Sequence, residues 1–285
     1  MALALAAAAL FGSADFLGGV ASRRVRAASV LVVSAPAGVV VLLAAAMFTG
    51  APFRTAGLGW ALAAGAAGGA GLIILYAGLA AGPMSVVAPV SALVSTVLPV
   101  GAALAMGERA GAAVYLGAAL CLVAIVGVSM EGGPARPAGP ARRHAAARGL
   151  GYGVASGLAF GIFFLFIRNA GTSGVLWPVC AARVAGTVIV LGAAAWLGTR
   201  PAGRGGPGTG RWMLPAAAAG VLDASANVCY VLAARAGLFG MAVVITSLYP
   251  GITVLLARVV LGERMRAVQR VGLALAAAGV ALVTF

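Results

Sequence analysis

The sequence predicts an all-α, polytopic integral membrane protein of about ten transmembrane helices, built as two inverted five-helix repeats. Three observations carry that prediction. The 285-residue chain is 63% hydrophobic and 8% charged, against about 25% charged in an average soluble domain. Apolar runs long enough to cross a bilayer core, roughly 20 residues each, recur along its length. The joint Met106-Gly107-Glu108-Arg109 returns as Leu261-Gly262-Glu263-Arg264, and Gly117 and Leu120 then stand opposite Gly272 and Leu275. Short alternating strands are absent, which argues against an outer-membrane barrel.

Taken in order, the spans fall at about Ala2–Val20, Ser29–Phe48, Leu58–Ala80, Val86–Met106 and Ala112–Met130 in the first half. Those of the second half fall at about Leu150–Arg168, Val175–Leu197, Met213–Ala234, Gly240–Leu261 and Val268–Phe285. The first twelve residues resemble a signal-peptide core. They lack a basic n-region and run on through Asp15 to Val20, so they read as a retained first helix. Two joints are longer than the rest, residues 131–148 and 198–211, both rich in Pro, Gly and Arg and read as flexible linkers. The domain organisation expected is a first repeat over 1–130, a linker over 131–148 and a second repeat over 149–285. An odd number of spans per repeat inverts the second copy, and inverted repeats hold their sites near the midplane between copies. Glycines four apart, Gly153 with Gly157 and Gly161 and Gly65 with Gly69, let helix backbones approach closely.

All 19 basic residues are Arg, and the formal net charge is +14. Arg23, Arg24, Arg26, Arg136, Arg142, Arg143, Arg148, Arg200, Arg204, Arg211, Arg264, Arg266 and Arg270 fall in alternate joints on one face. The other face has Arg54, Arg109, Arg168 and Arg235. Such charges fix topology and touch anionic headgroups, so no nucleic-acid partner is implied. The positive-inside rule places the richer face in the cytoplasm and both termini outside. Cys121, Cys180 and Cys229 lie in apolar spans without CxxC spacing, and His144 is the single histidine, so no metal or cofactor is implied. There is no Gly-x-Ser-x-Gly elbow, P-loop or His-Glu-x-x-His, and no catalytic set is assigned.

The chemistry-bearing residues lie inside the spans. Asp15 and Asp223 are the only aspartates, and an ionisable group in a span faces a partner or a wet cavity. Asp223, Asn227 and Tyr230 stand at i, i+4 and i+7 and share one helix face. One reading makes each acid a hydrogen-bonded packing group; the other makes it a site that exchanges a proton or cation for substrate. Arg183 lies about eight residues into its span, roughly 12 Å deep; it either snorkels to the membrane edge or pairs with Asp15, Asp223 or an anionic substrate group. Ser91 and Thr246 satisfy carbonyls freed by nearby prolines or line a cavity, and Tyr249 beside Pro250 is a candidate gate. Glu108 and Glu263 are expected to cap the helices that follow them.

With these residues in hand, the chain resembles the drug/metabolite transporter superfamily, in particular its EamA-type members. The resemblance rests on Phe11-Gly12-Ser13-Ala14-Asp15-Phe16-Leu17-Gly18-Gly19, on Leu222-Asp223-Ala224-Ser225-Ala226-Asn227, and on Ser247-Leu248-Tyr249-Pro250-Gly251-Ile252-Thr253 running to Gly262-Glu263-Arg264. It implies a secondary carrier in a bacterial plasma membrane that exports a small organic metabolite or toxic compound from a central cavity between the halves. The implied partners are the bilayer, a small-molecule substrate and protons, with a homodimer open as the assembly. It also implies cytoplasmic termini, against the Arg distribution. The competing reading is a non-transporting membrane protein, either an intramembrane enzyme or a scaffold. A scaffold needs no midplane charge, and an enzyme needs a nucleophile with its base.

Overall fold

Runs of Ala, Leu and Val offer the backbone no polar partners, so the chain satisfies its own N–H and C=O groups by coiling into helices. The computed structural model describes residues 1–22, 24–25, 27–81, 84–109, 111–129, 140–171, 174–196, 210–237, 239–261 and 267–284. In the first half these form α1 (Ala2–Ser22), α2 (Ala27–Phe48), α3 (Leu58–Ala81), α4 (Met84–Ala105) and α5 (Ala112–Ser129). The second half follows with α6 (Pro140–Ala170), α7 (Leu176–Trp196), α8 (Met213–Ala236), α9 (Phe239–Thr246), α10 (Tyr249–Leu261) and α11 (Ala267–Thr284). Among the described residues, seven stretches are long and apolar enough to cross a membrane, and three shorter apolar helices accompany them at Val90–Ala105, Val114–Ile125 and Ala267–Leu282. The Gly262-Glu263-Arg264 copy, residues 131–139 of the first long joint and residues 198–209 of the second lie outside the described residues.

Two elements depart from the expected pattern. Helix α6 begins at Pro140, inside the stretch expected to be a linker. Proline suits the first helical position, where its missing N–H costs nothing, and the Ala145-Ala146-Ala147 run that follows favours the helix. The span expected at Gly240–Leu261 is broken into α9 and α10 at Ser247 and Leu248. Pro250 has no N–H for the Thr246 carbonyl. Around it, Leu248 N–H donates three residues back to Ile245 O at 3.2 Å and Gly251 N–H to Leu248 O at 2.9 Å.

First-half helices pack on second-half helices throughout. Helix α1 lies on α8 and α10, α2 on α7 and α8, α3 on α6 and α7, α4 on α6, and α5 on α11. Small residues make the closest seams. A Cβ at Gly157 would stand 2.7 Å from Ser91 O, one at Gly161 2.7 Å from Leu98, and one at Gly65 would collide with Ala182 O. One end of the bundle gathers the joints after α2, α4, α6 and α8: Trp177 donates to Ala51 O at 2.8 Å and Arg168 reaches Met106 Sδ at 3.5 Å. At the opposite end Ala21, Val30, Trp212 and Ala216 form a separate buried cluster. The first is the Arg168 end of the bundle and the second its Ser22 end.

Candidate functional site

The centre of the site is an ion pair between two helices. Arg183 Nη1 on α7 donates to Asp223 Oδ2 on α8, with 23% and 32% of the two side chains exposed. The partial exposure means the pair meets open space rather than dry packing. Arg183 passes Gly38 of α2 on the way: a Cβ there would fall 2.8 Å from its Nε and 2.8 Å from Gly220 O. At Gly220 a Cβ would overlap Ser34 O. The two glycines thus bring α2 and α8 close and leave the guanidinium a slot between them.

Asp15 lies on α1. Helix α1 packs on α8, which carries Asp223, and on α10, which Tyr249 opens. Helix α1 is held on α10 by Gly12, where a Cβ would stand 2.5 Å from Ile252 Cβ, and by Thr253 Oγ1 donating to Gly12 O at 3.1 Å. The Phe11 and Tyr249 rings meet at 6.1 Å. Along this α1 face Ala8 and Gly12 are buried, whereas Asp15 and Gly19 are exposed. The face therefore closes toward the start of α1 and opens toward the Ser22 end.

One turn beyond Asp223, Asn227 is 6% exposed and donates through Nδ2 to Asp223 O at 2.8 Å. Its Oδ1 has no hydrogen-bond partner among the described residues, and neither do Arg183 Nε, Thr187 Oγ1 and Thr246 Oγ1. Buried polar atoms ordinarily find partners, so these four are available to a ligand or water. Thr187, one turn along α7 from Arg183, was not singled out from the sequence, although its i+4 spacing from a charged residue was a visible signal.

Two residues expected at the site lie elsewhere. Tyr230 is fully buried, donates to Phe164 O of α6 at 3.3 Å and meets the Phe164 ring at a 57° tilt with centroids 4.8 Å apart. Ser91 sits in the seam between α4 and α6, where it accepts from Ser156 Oγ at 2.9 Å. Glu108 caps a helix, though not the one that follows it. Its two carboxylate oxygens each lie 3.2 Å from Gly240 N at the start of α9. A separate cleft at the Arg168 end, lined by Arg54, Val175, Trp177 and Pro178, stands apart from the acids.

The model of the EamA-like transporter family matches residues 147–285. No curated protein matches the chain. A solved chain described only as "Crystal structure of protein" aligns with a TM-score of 0.79 at 17% identity, covering 99% of this chain and 95% of that one. At that identity the likeness concerns the fold alone.

Proposed function

We propose that the chain, whose residues 147–285 match the model of the EamA-like transporter family, is a secondary active transporter exporting a small organic metabolite or toxic compound from the bacterial plasma membrane. The observation that carries this reading is the Arg183–Asp223 pair within apolar helices, with Asp15 on α1, which packs on α8, and Tyr249 on α10, which packs on α1. Two acids face one base there, so the site holds one negative charge in excess when all are ionised. A proton or a cationic group relieves that excess, and its arrival and departure gate the cycle.

Asp15 and Asp223 carry proton coupling in this reading. Arg183 holds Asp223 until substrate or proton competes for it, and Asn227, Thr187, Thr246 and Tyr249 line the path. The packing supports an inverted arrangement of a first repeat over 1–130 and a second over 149–285. Exchanging α1 with α6, α2 with α7 and α3 with α8 turns the α1–α8 contact into α6–α3 and the α2–α8 contact into α7–α3, and both occur. Rocking one repeat against the other then moves access from one end to the other. Solute efflux from proteoliposomes, with and without a pH gradient, tests the proposal: gradient-driven flux lost in Asp15→Asn and Asp223→Asn supports it, and unchanged flux in both removes the carboxylates from the mechanism.

A further inference from the structure

A second charged cluster lies away from the acids, at the Arg168 end. Helix α4 finishes there in a Schellman turn. Gly107 has a φ of +85°. Its N–H donates to Leu104 O at 3.0 Å, and Glu108 N–H donates to Ala103 O at 3.0 Å. That turn fixes the Glu108 backbone and aims its carboxylate across the boundary between halves at the start of α9. The first N–H groups of a helix have no partner in the helix itself, and its positive end attracts an anion. The fit is close, since a Cβ at Gly240 would stand 3.3 Å from Ala103.

A second tie crosses the same boundary in the other direction. Arg168, near the end of α6, contacts Met106 of the first half and lies 4.6 Å over the ring of Phe239, the first residue of α9. All eight residues of α9 are buried, and α9 packs on α1, α4, α5 and α8. The helix thus fills the space between halves at this end, while the Asp15 face opens at the other.

We propose that Glu108 is a gating residue: its carboxylate on the α9 N-terminus, braced by Arg168, latches the Arg168 end shut while the acids are reached from the Ser22 end. The proposal rests on the transport reading, because a latch between halves matters only if the halves move. Opening the Arg168 end requires α9 to leave Glu108, so weakening this contact shifts the population toward the opposite-facing state.

Labelling tests it without any substrate. In a chain with Cys121, Cys180 and Cys229 changed to alanine, Val243→Cys on α9 reports opening of the Arg168 end. Gly19→Cys on α1, where a Cβ meets nothing within 4 Å, reports opening of the Ser22 end. A hydrophilic maleimide reacts with each on the full chain in detergent. Glu108→Gln should raise the Val243→Cys rate roughly tenfold or more, the population change expected on losing a charge-assisted hydrogen bond, and should lower the Gly19→Cys rate. Should Glu108→Gln fail to fold, Arg168→Gln is read in the same two ways. Two unchanged rates would overturn the proposal, and so would two rates that rise together, since that marks local loosening. Loss of solute flux with the labels still responding in opposite directions would count against the transport reading alone.

Discussion

Arg183 of α7 reaches Asp223 of α8 through a slot that Gly38 of α2 leaves open. The pair is partly exposed, so it is weaker than a sealed ion pair, for which losing one partner costs about 3–5 kcal/mol. A double-mutant cycle of Arg183→Gln and Asp223→Asn, read by thermal unfolding in detergent, should give a coupling of about 1–2 kcal/mol. A coupling near zero would mean that the two groups do not meet in the folded protein.

The slot itself makes a second prediction. Gly38→Ala places a methyl against Arg183 Nε and Gly220→Ala places one on Ser34 O. Overpacking of this kind costs about 1–3 kcal/mol, and Gly38→Ala should also reduce transport by turning the guanidinium away from Asp223. Gly18→Ala and Gly101→Ala, where a Cβ meets no atom within 4 Å, should leave both stability and flux unchanged. Equal effects at all four positions would show that the slot has no special role.

Seam and site separate cleanly at Ser91. It accepts from Ser156, which also reaches Gly153 O at 3.1 Å, so Ser91→Ala removes one buried hydrogen bond. Stability should fall by about 1 kcal/mol with solute flux within twofold of the parent. Asn227→Ala also removes one hydrogen bond, from Nδ2 to Asp223 O, so it should cost a similar amount of stability, about 1 kcal/mol. It should, however, lower flux at least roughly fivefold, because the Asn227 Oδ1, without a partner among the described residues, is lost from the site.

How much of this was legible in the sequence differs from residue to residue. Asp15, Asp223 and Arg183 stand out because a charge inside an apolar run has few tolerable surroundings, and Asp223 was one of the partners expected for Arg183. Tyr230 shares a helix face with Asp223 by its i+7 spacing, yet seven residues also carry it about 10 Å along the axis, from the acids to Phe164. The break between α9 and α10 was hidden for a related reason. Pro250 is visible, but Pro36 sits inside an unbroken α2, so proline alone does not tell a break from a tolerated residue. Glu108 reads locally as a cap for α5. The Schellman turn at Gly107 redirects it to α9, 132 residues away, and no local pattern contains that distance.

The carboxylates are the account's central claim, and flux through reconstituted protein tests them most directly. Proteoliposomes loaded with a mixture of small organic solutes should release at least one of them faster when a pH gradient is imposed, and Asp15→Asn and Asp223→Asn should each abolish that response while the purified proteins stay folded. Gradient-driven release that persists undiminished in both variants would contradict the account.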